Sequence, residues 1–336
     1  MNRIATEDNR LRSRRSEMVL CITHSDRPVE ADRCDANALQ SRYTRPGRLP
    51  PTVPFRSLPH ARTATPYGGA ISVWDVGGSD FQDVALLAIL RPRGYKPQHV
   101  IWHGDRLWVL GTELIEVYDE SLRREALIED NWLAGAHTIA PIDDDTLAVS
   151  ASASDSVLMV DRRAMKVVDR FRIPDGVYGH NFDLRHDDSV VEHYVPNDLQ
   201  LAHFNCAWPW RGGVLTTALI PGAIGFFDRS GSYRELLSGF VGAHGARVNP
   251  ETDRIYFCDS CAGTLNVLGP DLEIEFSYRA GSRWLHDAVH LSGEVFALAV
   301  SDRNVVQVAN IHSGEILCKI DGSELGCSTQ FLAFGR

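Results

Sequence analysis

The stretch HTIAPIDDDTLAVSASASDSVLMVD, His137–Asp161, decides the fold. It opens on a strand-like run, breaks at the polar turn Asp143–Asp145, and resumes as a second apolar run. A short loop and a third run ending at Asp161 complete it. Short runs of branched aliphatic residues between clusters of Asp and Ser are the signature of antiparallel strands joined by turns. Four other segments share the layout: HVIWHGDRLWVLGTELIEVYD from His99, HFNCAWPWRGGVLTTALIPGAIGFFD from His203, HGARVNPETDRIYFCDSCAGTLNVLG from His244, and HDAVHLSGEVFALAVSDRNVVQVAN from His286. From the histidine to the terminal turn residue they take 20, 24, 25, 25 and 24 positions in chain order, and the histidines advance by 38, 66, 41 and 42. A fourth strand follows in most units, as in KVVDRFRI, Lys166–Ile173, and EILCKI, Glu315–Ile320.

One four-stranded sheet cannot hide both of its apolar faces, so each needs a neighbour on either side, and a closed ring supplies them. The repeat, roughly 40 residues with four strands, resembles that of a β-propeller. The fold class is therefore all-β, with six blades expected and seven as the alternative. GAISVWDVGG, Gly69–Gly78, reads as a third strand and DVALLAIL, Asp83–Leu90, as a fourth. The C-terminal TQFLAFGR supplies their first strand, so that the two ends of the chain close the ring in one blade.

In that arrangement the first strand of each blade lines the axis, and its opening residue sits at the channel mouth. The ring then contains His99, His137, His203, His244 and His286, completed by Gln330, with His103 competing for the place of His99. The tripeptide GAH occurs twice, ending at His137 and at His244. Several neutral imidazoles aimed at one point suit a transition metal, with iron the leading expectation and copper, manganese or zinc as alternatives. The competing reading gives each histidine a structural role at a blade junction. The ring is similar in part to that of carotenoid-cleaving oxygenases, which hold iron with histidines from several blades. It lacks the Glu, Asn and Asp that bind calcium in lactonases of the gluconolactonase type. The likeness stays at repeat level, and no motif carries residue roles across.

The advance of 66 between His137 and His203 marks an insertion at about 174–200, expected as a lid over the mouth or as a reduced seventh blade carrying His180. His180 and Glu192 in this insertion, with Asn205 on the strand after His203, are the catalytic candidates. Asp287 is a weaker one. CDSC, Cys258–Cys261, has no second pair to build a structural zinc site, and Ser260 lacks a nucleophile-elbow context. Trp132, Trp208, Trp210 and Trp284 line a pocket or pack between blades.

Residues 1–51, with the arginine-rich RLRSRR at Arg10–Arg15, show no sustained apolar period and are expected to be disordered or loosely ordered, with the propeller spanning 52–336. The net charge of −10 argues against a nucleic-acid surface, and no apolar run suits a membrane helix. Seven cysteines without a dense framework suggest reduced thiols and a cytoplasmic setting. These features lead to a metal-dependent enzyme acting on a small organic substrate, an oxidoreductase or oxygenase first. A metal-assisted hydrolase or lyase comes next, then a non-catalytic ligand- or protein-binding propeller.

Overall fold

The computed structural model describes residues 19–25, 53–54, 69–76, 81, 84–92, 96–130, 132–174, 176–179, 193–194, 202–326 and 328–335. Among them, six sheets of four antiparallel strands form the blades of a propeller. The inner strands are Ser328–Gly335 in blade 1, Pro97–His103 in blade 2, Ala136–Pro141 in blade 3, Trp208–Trp210 in blade 4, Ala243–Val248 in blade 5 and Leu285–Ser292 in blade 6. Each touches its neighbours in cyclic order, and Leu285–Ser292 meets Ser328–Gly335 to close the ring.

Why a ring holds is visible in where the apolar side chains go. Among the described residues, each of the six core clusters lies between two adjacent blades rather than inside one. Trp108 and Ile115 of blade 2 face Ile139 and Leu158 of blade 3, while Ile224 and Phe226 of blade 4 face Ile255 and Phe257 of blade 5. Outermost strands carry exposed Leu127, Val168 and Ile274, because no described strand lies beyond them.

Blade 1 combines both ends of the chain. Its order from the axis outward is Ser328–Gly335, Val19–Ser25, Gly69–Asp75 and Ala85–Leu90. Closure through the C-terminal strand follows the sequence reading. The expectation of a loose tail over residues 1–51 does not extend to Val19–Ser25, which is the blade's second strand. Leu20 and Ile22 join the blade 6 interface and Cys21 the blade 2 interface, so both faces of this strand are covered. A strand covered on both faces has no alternation to give it away.

Two long connections leave the face on which the inner strands begin: residues 26–68 within blade 1, and those between Arg172 and Phe204 joining blades 3 and 4. Within them the two-residue strands Val53–Pro54 and His193–Tyr194 pair antiparallel. The rest of the expected lid, His180 and Glu192 included, lies outside the described residues apart from Pro174 and residues 176–179.

Ring closure is clamped at Leu332. Arg247 of blade 5 donates from Nη2 to the Leu332 carbonyl at 3.1 Å and to Asp287 Oδ2 at 2.6 Å. Asp287 Oδ2 in turn accepts from the Leu332 N–H at 2.8 Å. Both charged side chains are buried, and Arg247 also lies 5.1 Å from the Trp208 ring centroid. Removing one partner of such a pair leaves the other charged and dry, at a cost of about 3–5 kcal/mol. Asp287→Ala is therefore expected to lower unfolding free energy by that amount in urea titration. Glu275→Ala, which breaks the exposed pair with Arg254, should cost less than about 1 kcal/mol. Equal losses from the two variants would contradict the clamp.

Candidate functional site

The beginning of each inner strand carries two consecutive positions with different tasks. The end of the second strand fixes the register: Gly111 opposes Pro97, Ala151 opposes Ala136, Ala218 opposes Phe204, Asp259 opposes Ala243, and Val300 opposes Leu285. The residue after each opposing position stands at the mouth. By this count it is Gln98, His137, Asn205, His244 and His286 in blades 2 to 6. A register shift follows near the start of the inner strand in blades 2, 3, 5 and 6, as expected of a bulge that re-aims side chains.

One residue further on, side chains latch onto the next blade. His99 Nδ1 accepts from the Ile139 N–H at 3.3 Å, and Thr138 Oγ1 from the Ala207 N–H at 2.8 Å. Cys206 Sγ donates to the Ala246 carbonyl at 3.0 Å, and Asp287 takes the same role toward Leu332. Gly245 holds this position in blade 5, where a Cβ would come within 2.6 Å of Asp287 Oδ1.

The five predicted histidines thus occupy three levels of one cluster. His137, His244 and His286 share the mouth register. His99 lies one step deeper, in the latch layer. His203 lies two steps earlier, where its carbonyl accepts from the Leu219 N–H just as those of Gly135 and Gly242 accept from the N–H groups of Ser152 and Ser260. The rings still meet: His137 and His203 at 4.9 Å between centroids, His244 and His286 at 5.1 Å. Phe331, fully buried, sits between them, 4.7 Å from His286, 5.9 Å from His99 and 6.1 Å from His137. Trp284 stands against His244 at 5.4 Å. Asn205 is fully buried, donating to the Ala243 carbonyl and accepting from Thr217 Oγ1.

Hydrogen bonds fix the tautomers, and here the tripeptide GAH acquires its meaning. His137 Nδ1 lies 2.6 Å from the Gly135 carbonyl, and His244 Nδ1 lies 3.1 Å from that of Gly242. A carbonyl only accepts, so Nδ1 carries the proton, and Nε2 of the neutral ring is its basic nitrogen. Gly135 and Gly242 have φ of 62° and 90°, the left-handed region that turns the carbonyl back toward the imidazole two residues on. Ser260 Oγ donates to the Leu285 carbonyl at 2.7 Å and accepts from His244 Nδ1 at 2.8 Å. His99 is the opposite tautomer. Its Nδ1 accepts from Ile139 and its Nε2 donates to the Leu332 carbonyl at 3.2 Å, while Arg247 Nη2 approaches the same Nε2. Burial first and the Arg247 charge second push its pKa down to about 3.

Among the described residues, no group of three or more His, Cys, Asp or Glu side chains is arranged to hold a metal ion. Cys258 is buried with its thiol pushed well up by burial, and Ser260 is fully buried, so neither residue of CDSC is an exposed nucleophile. The five described cysteines are free thiols, and no described helix is long and apolar enough to cross a membrane. Of the other tryptophans, Trp132 lies under Arg170, with the guanidinium carbon 3.2 Å from its ring centroid, and Trp210 packs on Phe226.

No family model matches the chain, and no curated protein sequence does. Solved structures do. Selenomethionine-substituted virginiamycin B lyase from Staphylococcus aureus matches with a TM-score of 0.50 at 12% identity, over 75% of this chain and 77% of that one. A catalytically inactive histidine-to-alanine variant of that lyase with quinupristin matches with a TM-score of 0.51, at the same identity and coverage. At this identity the likeness establishes the propeller fold.

The buried neutral His99 predicts acid sensitivity. An unfolded histidine titrates near 6.5, so between about pH 6.5 and 3 the unfolded chain binds the proton that folded His99 refuses. Stability then falls with decreasing pH, by up to about 1.4 kcal/mol per pH unit. Asp287, pushed up by burial to about 6 against the pull of Arg247, acts with the opposite sign, adding stability as pH falls toward 4. His99→Gln keeps an acceptor for Ile139 and a donor for Leu332 but cannot titrate. Its unfolding free energy should decline less than that of the parent between pH 6.5 and 4. Parallel declines would show that His99 is not held neutral.

Proposed function

We propose that the chain is an enzyme of the lyase type, acting on a small organic substrate at the propeller mouth with imidazoles as its proton-transfer groups. The observation that carries this reading is the pair of carbonyl-held Nδ1–H tautomers at His137 and His244, which set Nε2 as the proton-accepting atom of each. A base whose tautomer is fixed by a backbone acceptor loses no orientation when it takes a proton, and the same carbonyl stabilises the imidazolium that forms.

In an elimination, one imidazole Nε2 removes a proton from a carbon of the substrate. The C–H electron pair becomes the new double bond as the neighbouring carbon–oxygen or carbon–nitrogen bond breaks. A second imidazole, arriving protonated, gives its proton to the leaving atom. His244 and His137 are the candidates for these roles, each paired with a second ring, His286 or His203. Phe331 and Trp284 supply apolar surface beside them. The fold shared with virginiamycin B lyase makes virginiamycin B and quinupristin reasonable first compounds to test.

A second reading retains the metal. Histidines that bind metals are commonly held by a hydrogen bond at their other nitrogen, as His137 and His244 are. Iron, copper, manganese or zinc would then be held by His137, His203, His244 and His286, supplying Lewis-acid or redox chemistry to an oxidoreductase. His99 is a poor member of that set, since both of its nitrogens serve the blade junction.

Product mass separates the readings. Incubation with a panel that includes virginiamycin B and quinupristin, followed by mass spectrometry, should give products whose summed composition equals that of the substrate. Hydrolysis would add the mass of one water and an oxygenase that of oxygen. His137→Ala and His244→Ala should each lower turnover by about 100- to 10,000-fold while leaving the circular dichroism spectrum unchanged. Turnover lost only from protein stripped of a stoichiometric metal, as shown by elemental analysis of untagged protein, would favour the second reading. Activity surviving both substitutions would contradict the two readings together.

A further inference from the structure

We propose that two copies of this chain associate through the outer edge of blade 1, where the strand Ala85–Leu90 of one copy runs antiparallel beside the same strand of the other. The contact is separate from the mouth and from any chemistry there.

The six outermost strands are not alike. In blades 2 to 6 they read REALIE, KVVDRFR, YRELLS, IEFSYR and ILCKID, and each carries at least two charged side chains. In blade 1 the strand reads ALLAIL, with no charged and no polar side chain. Charges on an edge strand keep another chain from adding to its unpaired N–H and C=O groups, and an apolar edge invites it. Bulges serve the same end, but the outermost strand of every blade has a register shift against its third strand, so they do not set blade 1 apart. Along Ala85–Leu90, Ala85, Leu86 and Ile89 stand exposed, the last two at 44% each, and no described strand pairs beyond them.

Charge and symmetry make the occupant a second copy. With its nearest charged neighbours the strand reads DVALLAILR, a carboxylate at its start and a guanidinium at its end. Asp83 lies outside the described residues and enters by its place in the sequence alone, whereas Arg91 is exposed. An antiparallel neighbour of the same sequence brings the basic end of each copy to the acidic start of the other. A parallel one would set like charges side by side. A two-fold axis passing between Leu87 and Ala88 sets Leu86 of each copy opposite Ile89 of the other, so the two most exposed apolar side chains of the edge cover one another. Such a self-complementary contact closes on two copies. A six-residue edge is short, so the dimer is a weak one that forms in the micromolar range.

Sedimentation of the full chain at about 1 to 100 µM should show the average mass rising toward twice that of one chain. Leu86→Lys/Ile89→Lys places lysine opposite lysine on both sides of the axis. It should stay at single-chain mass with an unchanged melting temperature, since both side chains are exposed. Leu127→Lys, the same kind of change on the outer strand of blade 2, should dimerise like the parent. Cross-linking reads the register. Leu86→Cys/Ile89→Cys should form a disulfide-linked dimer on mild oxidation, while each single variant gives no more than the parent. A parent of single-chain mass at the highest concentration would overturn the proposal, leaving the edge open or covered by the chain's own segments. A lysine variant that still dimerises would put the contact elsewhere and overturn it as well. Single-cysteine variants that cross-link as fully as the double one would overturn the antiparallel register.

Discussion

The structure depends on how each inner strand begins. A sheet in a propeller blade is covered on both faces by its neighbours, so the inner strand must serve the next blade and the central mouth within a few residues. Two adjacent positions divide that work, with a register shift beside them in four blades. The first presents a side chain at the mouth. The second binds the backbone of the following blade, as Thr138 binds Ala207 and Asp287 binds Leu332. Because the last latch falls on the C-terminal strand, the buried Arg247–Asp287 pair closes the ring and fixes the floor under the histidines.

Much of this was legible in the sequence. Repeat spacing revealed the four-stranded units, the six blades and closure through TQFLAFGR, since turn residues and apolar runs recur wherever a strand must end or be buried. Val19–Ser25 was hidden because residues 26–68 separate it from its sheet partner, destroying the repeat spacing, and because a strand covered on both faces lacks alternation. At the site, a gapless alignment on histidine named residues whose rings meet in the structure, yet it could not see offsets of one or two residues. His99 and His203 look equivalent to His137 only until the strand register is counted. The missing signal was the glycine two residues ahead: GAH has it, whereas LAH before Phe204 has leucine there and histidine in the glycine slot itself. Phe331 was overlooked beside Gln330, since a lone aromatic in an apolar strand reads as ordinary core.

The same residue type is therefore used in two chemically opposite ways. His99 has its Nδ1 occupied by an N–H and its Nε2–H donated to a carbonyl, which makes it a neutral structural part. His137 and His244 donate from Nδ1 to a carbonyl, which makes Nε2 basic. Burial alone would not distinguish them, because His99 and His244 are both buried. What separates the two kinds of imidazole here is the direction in which the backbone lets the proton point.

That distinction is directly measurable. Long-range nitrogen–proton correlation spectra of the uniformly nitrogen-15-labelled chain at neutral pH report which imidazole nitrogen carries the proton. The account predicts the Nδ1–H form for His137 and His244 and the Nε2–H form for His99. Nε2–H signatures at His137 and His244 would place the basic nitrogen against a carbonyl, and the reading of the mouth as a proton-transfer site would fail.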